Sequence, residues 1–250
     1  MQNTKRTIYL LFMWFIAHST GMYSLCAQNL VVANSANYRD AKTVFINPAV
    51  LPFQQSQLMA GMKVFHVGFM PDDALGFRNN YFSIISPFLF NQNMVVGMTG
   101  QLFGLPIYQQ SQFSFNISHR PFRSISLVLK YNIFTYSYDK SNFDQIDQYD
   151  PVFSKGTSKT SHSFGIGLIF FPRSNLNLAI SWDHINQPDV SLAKDGIKQP
   201  YHFDFGLRYN YKFISTTLNV NIFEQSPSYS CMVESYFPGR GTLRDRKSVV

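Results

Sequence analysis

The chain of 250 residues carries 21 Lys+Arg against 14 Asp+Glu, a formal +7, with 14% charged, 16% aromatic and 45% hydrophobic residues. Soluble domains usually hold about 25% charged residues, so this composition speaks against a typical cytosolic enzyme, and two cysteines are too few for a disulfide scaffold. A mean hydropathy of −0.09 is too low for a helical membrane protein, whereas a charge-poor chain rich in Phe, Tyr, Asn and Ser suits strands that meet lipid on one side only.

Residues 1–27 read as a signal peptide. Lys5 and Arg6 precede the apolar run Ile8 to Ala17, which falls short of the ~20 residues a spanning helix needs. Leu25-Cys26-Ala27 offers a cleavage site that makes Gln28 the first mature residue. A lipoprotein anchored through Cys26 is the rival reading, and Leu25 stands where such a site wants a small residue. Cleavage leaves Cys231 as the remaining cysteine, an ordinary strand residue. It also lowers the charge to +5; residues 240–250 hold a further +3, so 28–239 carries only +2. The basic balance belongs to the two ends, and no basic stripe speaks for nucleic acid.

From 58 onward, period-two alternation predicts about ten strands. Weak ones lie near 58–69 and 81–90. Met94, Val96, Met98 and Leu102 then alternate with Asn93, Gly97, Thr99 and Gln101, and Phe113, Phe115 and Ile117 with Gln112, Ser114, Asn116 and Ser118. Ile125, Leu127, Leu129, Tyr131 and Ile133 share a face opposite Ser124, Ser126, Lys130 and Asn132. Phe164 to Phe170 and Leu176 to Trp182 follow the same rule. In 201–213, aromatic and aliphatic residues hold every odd position, while His202, Asp204, Gly206, Arg208, Asn210 and Lys212 hold the even ones. Strands at 217–222 and 229–237 complete the set. Many have the ~9–11 residues that cross an outer membrane at a tilt.

Short turns are expected near Asn91, His119–Phe122, Pro172–Ser174 and Lys212, with longer loops at 71–79, 104–109, 139–159, 183–200 and 224–228. Long and short alternate, as the two rims of an antiparallel up-and-down outer-membrane β-barrel would require. A soluble sandwich gives the same alternation with its apolar face inward, but has less reason for long strands behind a signal peptide. The barrel domain is assigned to 28–239. Residues 240–250 have neither alternation nor a terminal aromatic and read as a non-barrel tail, open to a non-native origin. The frame is accordingly expected to be truncated, with further strands beyond it.

Two motifs stand out. In Asn47-Pro48-Ala49, after Val44-Phe45-Ile46, proline fixes its own φ and biases Asn47 towards extended backbone. Turn chemistry explains this element, with a plug or gate as the alternative. In Trp182-Asp183-His184-Ile185-Asn186-Gln187-Pro188-Asp189-Val190-Ser191, the turn formers Asn186, Pro188 and Asp189 can order a long loop. Beside that structural role, the loop is a candidate for docking a partner.

Together with Lys198-Gln199-Pro200 and the strand from Tyr201, these motifs resemble the PorP/SprF family, whose loop carries H-x-N-Q-P-D. The resemblance spans roughly 47–213 and is most specific over 182–213. It implies an outer-membrane barrel working in type IX secretion and gliding. Its partners would be lipid, periplasmic ring or motor components and secreted adhesins, with His184, Asn186, Gln187, Pro188 and Asp189 as the loop motif. The chain departs from the usual family start: Val50-Leu51-Pro52 follows Asn47-Pro48-Ala49 in place of Tyr-Ala-Gly. A FadL/PorV-like barrel passing hydrophobic solutes is therefore the alternative.

Enzymatic chemistry finds little support. His66, His119, His162, His184 and His202 show no metal-ligand spacing, and no phosphate loop or G-x-S-x-G is present. No catalytic, metal or cofactor residue is assigned. The acidic stretch Asp139, Asp144, Asp147 and Asp150 lacks the glycine and final glutamate of an EF-hand loop and reads as solvated. Asp204, Arg208 and Lys212 read as lumen ion pairing or hydration.

Overall fold

The computed structural model describes residues 35–38, 41–54, 56–65, 77–87, 93–105, 108–138, 156–192, 196–224, 226–237 and 241–249. The expected leader, its cleavage site and the acidic loop lie outside these residues, as do His66 and Asn91. Two 3-10 turns, Ala41–Phe45 and Pro48–Phe53, precede eleven strands. These are β1 (Gln57–Phe65), β2 (Phe77–Pro87), β3 (Met94–Leu105), β4 (Tyr108–Phe122), β5 (Ile125–Tyr138) and β6 (Ser158–Arg173), followed by β7 (Leu176–Asp183), β8 (His202–Tyr211), β9 (Ile214–Phe223), β10 (Ser226–Phe237) and β11 (Gly241–Val249). All pair antiparallel in sequence order within one sheet, and among the described residues β1 and β11 do not pair with each other. This is the all-β, up-and-down architecture that the alternation predicts.

The side chains are distributed inside out for a protein in water. Leu129 is 67% exposed, and Ile117, Phe164 and Leu218 are about half exposed. On the opposite face Ser114, Asn116, Ser118, Ser126, Lys130, Asn132, Asn177 and Asp204 are buried. Cross-strand register lines up Ile117, Leu129, Ile166 and Trp182 on β4 to β7 as one exposed apolar row. A sandwich would bury that row and expose the polar one. Among the described residues no helix is long and apolar enough to cross a membrane, which says nothing of strands.

The apolar core sits on the polar face, where the Pro48–Phe53 turn lies across β3 to β6. Ala36, Ala49 and Val50 pack with Val128, Ile169 and Ala179, edged by Tyr38, Phe53 and Phe171. Val44 and Leu51 pack with Ile85 and Val95. The few hydrophobic residues that break the polar pattern of this face, such as Val128 and Ile169, are the ones this segment covers.

Two expectations are corrected. The stretches 104–109 and 224–228, read as loops, close as the two-residue connections 106–107 and 224–225. In both a proline misleads: Pro106 follows the last residue of β3 in the sequence, and Pro227 stands second in β10, near a strand start where proline is tolerated. The long connections 66–76, 139–157 and 184–201 nevertheless share one rim. Residues 241–249, read as part of a tail outside the barrel, form β11 and pair with β10 along their whole length. A ladder needs only main-chain donors and acceptors, so absent alternation is no bar to pairing.

Candidate functional site

The Asn-Pro-Ala element is bound to the sheet. Asn47 caps the Pro48–Phe53 turn in an extended conformation, its Oδ1 accepting from the Ala49 N–H at 3.1 Å, with Pro48 at the first helical position. Its Nδ2 donates to the carbonyls of Leu168 and Ile180, at 3.1 and 3.2 Å. Those two residues face each other across β6 and β7, so one amide straddles the strand pair. Gly167 makes the approach possible: a Cβ there would lie 2.5 Å from Asn47 Oδ1 and 2.8 Å from Val128 Cγ1. Gly97 does the same for Leu51, whose Cδ1 would be 2.9 Å from an added Cβ.

A second anchor is the Ile46 carbonyl. It accepts from Ser181 Oγ at 2.9 Å and from Lys130 Nζ at 3.2 Å. Lys130 also pairs with Asp183 Oδ2 at 2.6 Å, both side chains nearly sequestered from solvent. Ser35 Oγ donates to Asn219 Oδ1 and Asn177 Nδ2 to the Ala36 carbonyl. Arg120 sits over the Phe53 ring, 4.5 Å from its centroid.

The rim loop begins at Asp183. His184 and Gln187 have positive φ, 57° and 41°, a region non-glycine residues enter only where the surroundings impose it. Here the surroundings are β6, which runs past the end of β7. The Ile185 N–H donates to the Phe164 carbonyl. The Asn186 amide then acts as a surrogate strand residue, accepting from the Phe164 N–H at 3.1 Å and donating to the His162 carbonyl at 3.0 Å. The Pro188 carbonyl accepts from the Gln199 N–H. Asp189 accepts from the Ser191 N–H and from Lys159 Nζ, and it pairs with Lys198 as an isolated bridge. Each residue of the motif from His184 to Asp189 thus has a definite place in the loop, apart from any partner.

His184 packs edge-on against Phe134, with centroids 5.1 Å apart, and its Nδ1 lies 3.0 Å from Ser163 Oγ. Asn132 Nδ2 donates to that oxygen. Desolvation lowers the imidazole pKa to about 4 against the opposing pull of Asp183. A base that weak beside a fully buried serine is unsuited to nucleophilic catalysis near neutral pH. It does imply a pH response. The folded state disfavours the protonated ring, so its contribution to stability is complete above pH 6.5 and is lost as pH falls from 6.5 towards 4. Hydrogen exchange at the Ile185 amide, corrected for intrinsic rate, should accelerate by about tenfold or more across that window. A His184→Gln protein should show no such step.

Asp204 and Arg208 meet the lumen-pairing expectation. Asp204 accepts from Asn219 Nδ2 and Asn221 Nδ2 and lies 3.2 Å from His202 Nε2, while Arg208 pairs with Glu234 at 2.8 Å. Lys212 lies in the β8–β9 turn with positive φ, its ammonium 5.5 Å from the Tyr211 ring centroid. Cys231 is a free thiol in β10. Among the described residues no His, Cys, Asp and Glu cluster has the makings of a metal site. Sequence reasoning passed over Gly167, Ser181 and the role of Lys130. The available signal was that Lys130 is the only charged residue in β5.

Among solved structures, the chain is similar to a mutant of the Rh. blastica porin at 7% identity and a TM-score of 0.27, covering 77% of this chain and 94% of that one. So loose a match adds nothing to the fold, which stands on its own strand order. No curated protein matches the chain. The model of the family described as type IX secretion system membrane protein PorP/SprF matches residues 27–237, almost the whole of the sheet and both motifs, and the chain belongs to that family.

Proposed function

We propose that this protein is a non-enzymatic outer-membrane component of the type IX machinery, supporting export or surface attachment of secreted proteins. Its apolar face meets lipid. Periplasmic ring or motor components and secreted adhesins are its protein partners, and the rim loop 183–200 is the docking element. The observation that carries this reading is the order of that loop: a long connection fixed to β6 through Ile185, Asn186 and Asp189 offers a preformed surface on a rigid frame. Passage of hydrophobic solutes is disfavoured by the inner face, which is lined by Asn, Ser and charged residues and crossed by the Pro48–Phe53 turn.

Deleting 186–189 in the native host, with surface expression retained, should reduce secretion or adhesin display by about tenfold or more, the loss expected when central contacts of an interface are removed. Long-chain fatty-acid uptake should be unchanged. Intact secretion with lost uptake would overturn the proposal in favour of a solute transporter.

A further inference from the structure

We propose that the segment of residues 35–38 and 41–54 forms a releasable plug latched by Lys130, which bridges the Ile46 carbonyl and Asp183, so that the rim loop and the plug loosen together. The inference requires only the sheet and its membrane setting, and is independent of the secretion role.

Consider what holds the segment. Its polar attachments run largely through its own main-chain carbonyls, at Ile46 and Ala36, and through Asn47 reaching the carbonyls of Leu168 and Ile180. Water can replace such bonds one at a time, which is how a retained segment differs from a strand of the sheet. Among these attachments the Lys130 bond stands apart, because a buried ammonium cannot be left with a neutral acceptor alone. It needs Asp183, and Asp183 is brought to it by two features of the rim.

The first is Gly165. A Cβ at that position would lie 2.4 Å from Asp183 Oδ1, so only glycine lets the carboxylate rest against β6. The second is the loop itself. Asp183 ends β7, and the next residue, His184, turns into positive φ with its ring held by Phe134 and Ser163. Asp183 Oδ1 has no hydrogen-bond partner, so the position of the carboxylate depends on its backbone and on Lys130. Asp183 is the last β7 residue in register with β8, opposite His202, so a lifting loop frays the strand at that point; Lys130 then loses its counter-charge, and the Ile46 carbonyl loses its ionic donor. The loop and the plug therefore bias one shared element, which is the physical requirement for coupling between two sites.

The test uses the full chain with Cys26 and Cys231 replaced by serine and Val50→Cys as reporter, in outer-membrane vesicles treated with a water-soluble maleimide. Val50 is fully buried, so the parent should label slowly. Asp183→Asn, Lys130→Met and deletion of 186–189 should each raise the labelling rate by about tenfold or more. Glu234→Gln removes the pair with Arg208 and leaves the segment's bonds in place, so it should label at the parent rate. Heat-modifiable migration on gels establishes that each variant is folded. Should Lys130→Met fail to insert, Lys130→Met combined with Asp183→Leu removes the same donor to Ile46 without stranding a charge and should itself speed labelling. Rapid labelling of the parent would overturn the plug. Acceleration by Lys130→Met without acceleration by the loop deletion would overturn the coupling. Either result leaves the secretion assay unaffected, so the two proposals fail separately.

Discussion

Leu129→Arg is expected to cost roughly 2–4 kcal/mol of stability in the membrane, the penalty for arginine near the midplane of a lipid-facing strand. Leu129 is 67% exposed in the middle of the apolar row formed with Ile117, Ile166 and Trp182. In lipid its exposure is solvation, and a guanidinium there must snorkel or drag water inward. Heat-modifiability on gels, together with urea unfolding in vesicles, reads the effect. A Leu129→Arg protein as stable as the parent would mean that this face does not meet lipid.

The neighbouring residue gives the second large effect by a different mechanism. Lys130→Met is expected to cost about 3–5 kcal/mol, the usual loss when one partner of a buried ion pair is removed and the other remains charged. Its side chain is 4% exposed and that of Asp183 is 11% exposed, so solvent screens the pair little. Replacing both, as Lys130→Met with Asp183→Leu, should recover much of the loss, because no uncompensated charge then remains. Failure of the double variant to recover stability would place the cost in the contact with Ile46.

These adjacent residues show how far the sequence was legible. Period two is a strong signal, and it placed Leu129 and Lys130 on opposite faces without knowledge of a partner. It also located ten of the eleven strands, missing β11 because that strand lacks the pattern used to find strands. What periodicity cannot carry is contact across long separations. The Asn47 amide meets β6 and β7 from over a hundred residues away, and nothing local to Gly167 says that its missing Cβ admits an asparagine. Likewise, Asn186 reads as a turn former, and its use as a stand-in for a strand appears only once β6 is seen to outrun β7.

That stand-in settles how the rim can be recognised. The part of β6 beyond β7 would otherwise be an exposed edge, a template on which an extended peptide could add itself as a further strand. Ile185 and Asn186 already occupy both main-chain groups of Phe164 and the carbonyl of His162, and Ser161 Oγ donates to the Asp189 carbonyl just beyond. At Phe164 and the His162 carbonyl the edge is spent within the molecule. There the sequence-blind grip of strand addition is closed off, and side chains and loop shape, hence residue identity, are what the rim presents.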